Sequence, residues 1–436
     1  PDQLIMTVSS TTKATNNLTV VIGGGLQGLA TANALLDKGK NVIVLEKESD
    51  TAMSASYANA GMLTPSQSMP WNSLSDIKKI LSGIGKKDSP MILSPGSIPS
   101  LFFWGLRFLR NSTNKRFTSI SRNCYNLANY SKALTKQVRE KEGFDYDQDI
   151  NGTMKIFRNQ ESYEKSVEIS NLILGESNEL EVLSSEEVAI KEPELTAISN
   201  ELTGGIFYPH DEIGDAYKFC KQLEQLVRAK GGRILVNTEI KKFLLNKGAI
   251  NGVVTSRAIL QTKEVVVTAG SWSYLLLKNL GLRLPVRPVK GYSLTLDTAG
   301  LSNKPKLAIV DESIHTAVTP LGNRIRIAGT AEFTGFNPDV HPKRLKYLNE
   351  MLKSIYPNLY SQLDHEEAKL WFGFRPMSAD GLPFIGKTKI KGLSVNAGHG
   401  HLGWTLAMGS ASLLADLITE NETDIDAKPF LASRTL

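Results

Sequence analysis

Cysteine is almost missing: Cys124 and Cys220 are the only two in 436 residues. Two thiols fit no Cys-rich zinc pattern, and a chain this long builds a core without disulfide staples, so a reducing, cytosolic setting is the default expectation. Histidine is scarce too. The six histidines show no H-x-x-x-H or mixed Cys/His spacing, which argues against a metal centre. No run of eighteen apolar residues occurs, so no bilayer-spanning segment is expected. A concentrated basic tract is also lacking. The formal charge is +6, but lysines fall in short groups such as Lys86-Lys87 and Lys387 to Lys391, the pattern of a solvated surface and not of a nucleic-acid face. Residues 1–17 are polar, lack the cationic start and apolar core of a signal peptide, and read as a flexible N-terminal tail. With 41% hydrophobic and 22% charged residues, the chain reads as an ordinary globular protein of up to about three domains.

Glycine, in contrast, is abundant and placed. Thr19 to Ile22 is an apolar β-branched run; Gly23-Gly24-Gly25-Leu26-Gln27-Gly28 follows it, then an amphipathic run closed by Gly39, then a second apolar run from Asn41 to Glu46. Strand, G-x-G-x-x-G turn, helix and strand make one βαβ unit with a phosphate site at its first turn. Gly23 permits the tight exit, Gly25 removes a side chain that would block a pyrophosphate, and Gly28 lets the helix lie close on the sheet. The helix start offers free N–H groups and a positive dipole end. Glu46, eighteen residues beyond Gly28, can accept hydrogen bonds from ribose hydroxyls.

Small residues from Ser54 to Met62 read either as backbone that meets a ligand or as a plain loop. Residues 65–97 read as a long connection, of the kind that covers functional sites. Ser97 to Arg110 is the most aromatic stretch. Ile98, Leu101, Phe102, Phe108 and Leu109 share a helical face while Phe103 and Trp104 point elsewhere, which fits a buried helix or a membrane-side contact assisted by Arg107 and Arg110. Strand signals at Gly152 to Phe157 and Thr203 to Tyr208, and a helix from Ala216 to Lys230, lead to Glu264 to Val267, a buried strand ending at Ala269 and Gly270. Such a strand, distant in sequence from Gly23, implies a discontinuous nucleotide domain. Alternating segments between 286 and 335 predict a mostly antiparallel sheet. Near the C-terminus, Arg375 sits before Pro376 and an Asp380-Gly381 turn, and Gly398-His399-Gly400-His401-Leu402-Gly403 forms a second glycine-rich entry into a helix, Trp404 to Thr419.

Several of these pieces, in this order, carry a resemblance: Ser56 to Gly61, Leu202 to Gly205, Lys290 to Thr295, Asn323 to Arg326, Ala331-Glu332, Gly335 to Asn337, Arg375-Pro376-Met377 with Asp380-Gly381, and Gly398 to Gly400 with Leu402 to Thr405. From about Thr19 onward the chain resembles the FAD-dependent amine and amino-acid oxidoreductases of the D-amino-acid oxidase fold, and within them the bacterial D-amino acid dehydrogenases of small-subunit type. The polar N-terminal extension, His401 and Phe374 depart from that pattern. The resemblance implies FAD, a small D-amino acid as substrate, hydride transfer to flavin N5, release of a 2-oxo acid and ammonia, and a quinone or other carrier as electron acceptor. It also implies that Arg375 grips the substrate carboxylate with paired charge-assisted bonds. Tyr292 is expected as a second donor or as a core tyrosine, and Arg326 and Glu332 as lining or ordinary strand residues. The expected cofactor contacts are Ile22, Gly23, Gly24, Gly25, Leu26, Gln27, Gly28, Glu46 and Lys47 in the first turn and strand. Asn59, Ala60, Gly61 and Met62 follow, then Ile240, Ala269 and Gly270. The second turn adds Gly398, His399, Gly400, His401, Leu402 and Gly403, suited to the flavin end of an extended FAD, where a helix N-terminus favours the reduced anion. The two histidines there either donate or merely pack.

The expected architecture is an α/β, two-domain protein. A Rossmann-like FAD-binding domain takes residues 18–90, 200–285 and 372–436, and a substrate domain on a mostly antiparallel sheet takes 91–199 and 286–371. The expected location is cytoplasmic, with peripheral contact at the inner face of the bacterial inner membrane as a further option. Competing readings are a sibling flavoenzyme for glycine, sarcosine, proline or hydroxyproline, a flavin-dependent tRNA-modifying enzyme, and a non-catalytic nucleotide-binding module.

Overall fold

The β-branched run Leu18–Ile22 lies inside a six-stranded sheet, buried on both faces as a parallel core strand requires. In this computed structural model, which describes residues 17–73, 77, 91–175 and 180–435, the sheet order is Phe384–Lys387, Leu393–Ala397, Glu264–Val267, Leu18–Ile22, Asn41–Leu45 and Arg233–Leu235. All neighbours are parallel except the edge strand Phe384–Lys387. The tail before residue 17 and residues 74–76 and 78–90 of the expected connection lie outside the described residues. The helices Leu26–Asp37, Ala216–Ala229 and Gly403–Thr419 cover one face of the sheet through a single apolar core. The three-stranded sheet of Ile240–Asn246, Ala249–Thr255 and Ile259–Leu260 packs on the other face.

A second sheet has nine strands and is mostly antiparallel. Lys369–Ser378 forms one edge, followed by Val286–Asp297, Arg324–Phe333, Thr316–Leu321, Ala308–Asp311, Thr153–Phe157, Gly204–Tyr208 and Glu181–Ser184. Met91–Leu93 joins beside Arg324–Phe333 in parallel. One face rests on the helix Pro342–Ile355; the opposite face looks toward the first sheet. An antiparallel bridge between Met377 and His399 ties the two units together.

The expected partition needs three corrections. Gly204–Tyr208, assigned to the cofactor unit, pairs with Thr153–Phe157 in the second sheet. Lys369–Ser378 is one continuous ladder with Val286–Asp297, so a boundary at 372 would cut a strand, and Arg375 belongs to the second sheet. The helix Asn114–Glu142, assigned to the substrate unit, buries Cys124, Leu127 and Ala128 in the first core, and Gly409 of the C-terminal helix sits where a Cβ would lie 2.9 Å from Ser131. Gly400–Thr419 is long and apolar enough by composition to cross a bilayer, contrary to expectation, but 78% of it is buried inside the fold. It is apolar all round because helices or strands cover it on every side.

The helix Ile98–Arg110 also differs from its expected facing. Trp104 and Phe108 are the buried residues, with the Trp104 indole donating to the Met377 carbonyl at 3.0 Å. Phe102, Phe103, Leu106 and Leu109 stand outward, 55%, 77%, 50% and 51% exposed. Among the described residues, Trp104 and Phe108 pack against Met91, Val289, Phe333 and Met377 of the second sheet.

Candidate active site

Between the two sheets runs a cavity of about 1220 Å³, larger than the roughly 300–1,000 Å³ of ordinary small-molecule pockets. Its first end is the glycine turn. Gly23 has φ +111°, and a Cβ on Gly28 would lie 1.7 Å from the Gly23 carbonyl oxygen, so the helix can approach the strand only with glycine there. Glu46 is buried at the tip of its strand. Its carboxylate accepts from the N–H of Gly24 at 2.7 Å and of Glu48 at 2.9 Å, and it lines the cavity with acceptor capacity left over for a hydroxyl-bearing ligand. Lys47 lies over the Trp272 ring at 4.1 Å.

The 59–62 backbone is fastened from the second sheet. Arg326 donates to the Asn59 carbonyl, Thr319 to that of Ala60 and Ser293 to that of Ala58; Asn59 itself caps the N–H of Gly61, and Met62 pairs with Ile213. The two glycine corners meet directly. Gln27 Nε2 donates to the Gly403 carbonyl at 2.8 Å across 376 residues of sequence, and its buried Oε1 has no partner among the described residues. Ile22, Gly25, Leu26, Ile240, Ala269, Gly270, Gly400 and Leu402 line the same cavity. Gly24, Gly28 and Gly398 shape it from behind without lining it; Gly398 takes φ +86°.

The two histidines of the second turn are desolvated and neutral. His399 Nε2 is 3.1 Å from Ser410 Oγ, and burial pushes its pKa down to about 3. His401 stacks on Trp71 with ring centres 5.1 Å apart, and burial, with Arg375 and Lys155 nearby, pushes it down to about 3 as well.

Arg375 projects from its edge strand across Gly291. A Cβ on Gly291 would lie 2.1 Å from Arg375 Nη1, so that glycine is the floor on which the guanidinium rests. Nη1 donates to the Thr330 carbonyl at 2.9 Å, and the group lies 5.7 Å from the Trp71 ring. No carboxylate pairs with it among the described residues, and burial alone pushes its pKa down to about 10. A half-buried, unneutralised fork with spare donors has the chemistry to receive a planar anion.

Of the two readings of Tyr292, the structure matches the core one, although the residue also borders the cavity. Strand alternation turns its ring to the helix side, into the core with Leu294 and Leu348, and its hydroxyl donates to Glu332 at 3.2 Å. Glu332 is held there by Arg344 at 2.6 Å and Lys290 at 3.2 Å. Trp71, Thr330, Ser56 and Thr405 were not expected as separate site residues. Ser56 Oγ accepts the Leu26 N–H and Thr405 Oγ1 the Thr64 N–H. Ser56 and Thr405 fall within stretches the sequence singled out, whereas Trp71 and Thr330 come in only through tertiary pairing.

This fold sets two glycine-rich helix starts on one long cavity, with a guanidinium that has spare donors beside it. The whole of residues 19–417 matches the family described as FAD dependent oxidoreductase. The chain belongs to that family, is an enzyme, and takes FAD, whose phosphates, ribose and ring the turns above fit. A D-amino acid dehydrogenase from Rhizobium johnstonii is 36% identical over 415 residues, covering 95% of this chain and 99% of the relative. One from Vibrio vulnificus strain YJ016 is 36% identical over 411 residues, covering 93% and 98%. Among solved structures, glycine oxidase from Geobacillus kaustophilus superposes with a TM-score of 0.75 at 23% identity, covering 96% of this chain and 98% of that one, a likeness of fold.

Proposed function

We propose that this chain deaminates small D-amino acids, D-alanine-like in size, to 2-oxo acids and ammonia, and passes the electrons to a quinone or another carrier. The observation that carries this reading is Arg375, a half-buried guanidinium with free donors and no acidic partner among the described residues, at the mouth of the flavin end of the cavity. Bound FAD would supply the acceptor for the substrate's α-hydrogen and two electrons, leaving an imino acid that water hydrolyses. The chain's own part is alignment. Arg375 fixes the carboxylate, Gly291 and the Thr330 carbonyl fix Arg375, and the stacked Trp71 and His401 wall the site. Neither neutral histidine repels a cationic or polar substrate amine, and no protein nucleophile is required.

The relatives named above as D-amino acid dehydrogenases support the substrate class. The test is anaerobic reduction of the purified holoenzyme by a panel of D- and L-amino acids with glycine, sarcosine, proline and hydroxyproline. Bleaching by D-alanine and not L-alanine is expected; bleaching only by glycine, sarcosine or the imino acids would move the chain to the sibling reading.

A second reading concerns where the electrons go. The outward Phe102, Phe103, Leu106 and Leu109, with Arg107 and Arg110 in the last turn, suit an anionic membrane surface in which a quinone dissolves.

A further inference from the structure

The strand Arg324–Phe333 carries a bulge at the site. Lys290 pairs with Glu332 but Tyr292 pairs with Gly329, so Gly291 alone faces both Thr330 and Ala331. At the bulge Thr330 takes φ +65°. That region suits glycine and, less well, asparagine; for a β-branched residue it is a strained conformation. Two things come from it. The Thr330 carbonyl turns out of the ladder to accept Arg375 Nη1 at 2.9 Å. Thr330, 6% exposed, lines the cavity, and its side-chain hydroxyl, closed off from solvent, finds no hydrogen-bond partner among the described residues.

Glycine would give the same carbonyl orientation without strain, so the carbonyl alone does not account for threonine. The hydroxyl does. A buried hydroxyl left unpaired is destabilising unless a ligand pairs it, and this one belongs to the residue that already touches the guanidinium. We propose that Thr330 is a substrate-contacting residue whose Oγ1 donates a hydrogen bond to the α-carboxylate held by Arg375, as the second donor that Tyr292 does not provide. The inference rests on the reading of Arg375 as the carboxylate receptor.

Three variants test it. Thr330→Val keeps the branched shape and removes the hydroxyl; Thr330→Gly removes both hydroxyl and strain; Thr330→Ser keeps the hydroxyl. Each is measured as FAD-loaded protein for KM and kcat with D-alanine and a dye acceptor, for thermal midpoint, and for the Kd of propionate, a carboxylate without an amine, by its perturbation of the flavin spectrum. Expected are a rise of about tenfold or more in KM and propionate Kd for the Val and Gly variants, the size of a lost bond to a charged group. Ser should stay within about threefold. Thr330→Gly should also melt higher than the parent while binding worse, opposite directions that a purely structural role does not produce. If Thr330→Gly retains FAD and keeps both constants within about twofold, the proposal is overturned. If no D-amino acid reduces the parent flavin yet propionate binds in an Arg375-dependent way, the substrate reading fails and propionate alone decides on Thr330.

Discussion

Four side chains show how their surroundings set chemistry in this protein. Arg375 has a short list of partners, the Thr330 carbonyl and the Trp71 face, so its charge is available. Lysine would retain that charge but not the fork. Arg375→Lys is therefore expected to raise KM for D-alanine by about 10- to 100-fold while FAD content is unchanged; steady-state kinetics with a dye acceptor reads this, and unaltered KM would remove Arg375 from the substrate site. Asp211 illustrates the reverse case. It accepts from Thr153 Oγ1 at 3.1 Å and the Ser66 N–H at 3.2 Å, yet burial pushes its carboxyl from 3.8 up to about 6. Because the folded pKa exceeds the unfolded one, the stabilising contribution is present below about pH 4 and is lost as pH rises through about 6. Asp211→Asn keeps an acceptor and removes the charge. Its melting temperature, measured against the parent, should shift in the variant's favour between pH 4 and pH 7; a difference that stays constant over that range would contradict the burial penalty. Arg326 and Glu332, left open by the sequence, resolve differently. Arg326 fastens the Asn59 carbonyl and pairs with Asp215, and Glu332 sits under the sheet with Arg344 and Lys290.

Among the elements, the first βαβ unit was the most legible, because strand period, glycine spacing and the terminal acid are all local signals. Its prediction is equally local. Gly28→Ala places a methyl 1.7 Å from the Gly23 carbonyl, so the helix must move off the strand; loss of most bound FAD, read from the flavin-to-protein absorbance ratio, is expected. The strands of the second sheet were recognisable one by one, but not their membership. Gly204–Tyr208 and Lys369–Ser378 read as strands in either unit, and only pairing across long sequence separations assigns them. Thr330 escaped for a related reason, since a bulge is a property of two strands and neither sequence announces it. The helix Ile98–Arg110 was legible as a helix and not in its facing, because an all-round apolar stretch has no contrast by which to orient it. With Phe103 and Leu106 outward, the double variant Phe103→Ser, Leu106→Ser should lose co-sedimentation with vesicles containing anionic lipid and retain full turnover of a soluble dye. Equal vesicle binding by parent and variant would remove this helix as the contact.

At the level of the whole molecule, the core is closed to reagents. Cys124 and Cys220 are both buried and reduced, and burial pushes the Cys124 thiol up to about 12 and raises Cys220 further. Neither should react with a disulfide reagent in the folded holoenzyme, and both should react together as the fold melts; rapid labelling of either thiol in native protein would show an opening that the packed helices do not suggest. Since FAD would bind the folded state, adding it should raise the melting temperature of stripped protein.

The first sheet is completed by strands from distant parts of the chain: Glu264–Val267 pairs with Leu18–Ile22, Leu393–Ala397 pairs with Glu264–Val267, and Gln27 grips Gly403. A ribosome that has made the dinucleotide motif has therefore made only half a receptacle. Loading of the cofactor is therefore expected to wait for the last strand and helix, and a copy truncated before Leu393 should come off without the flavin's colour.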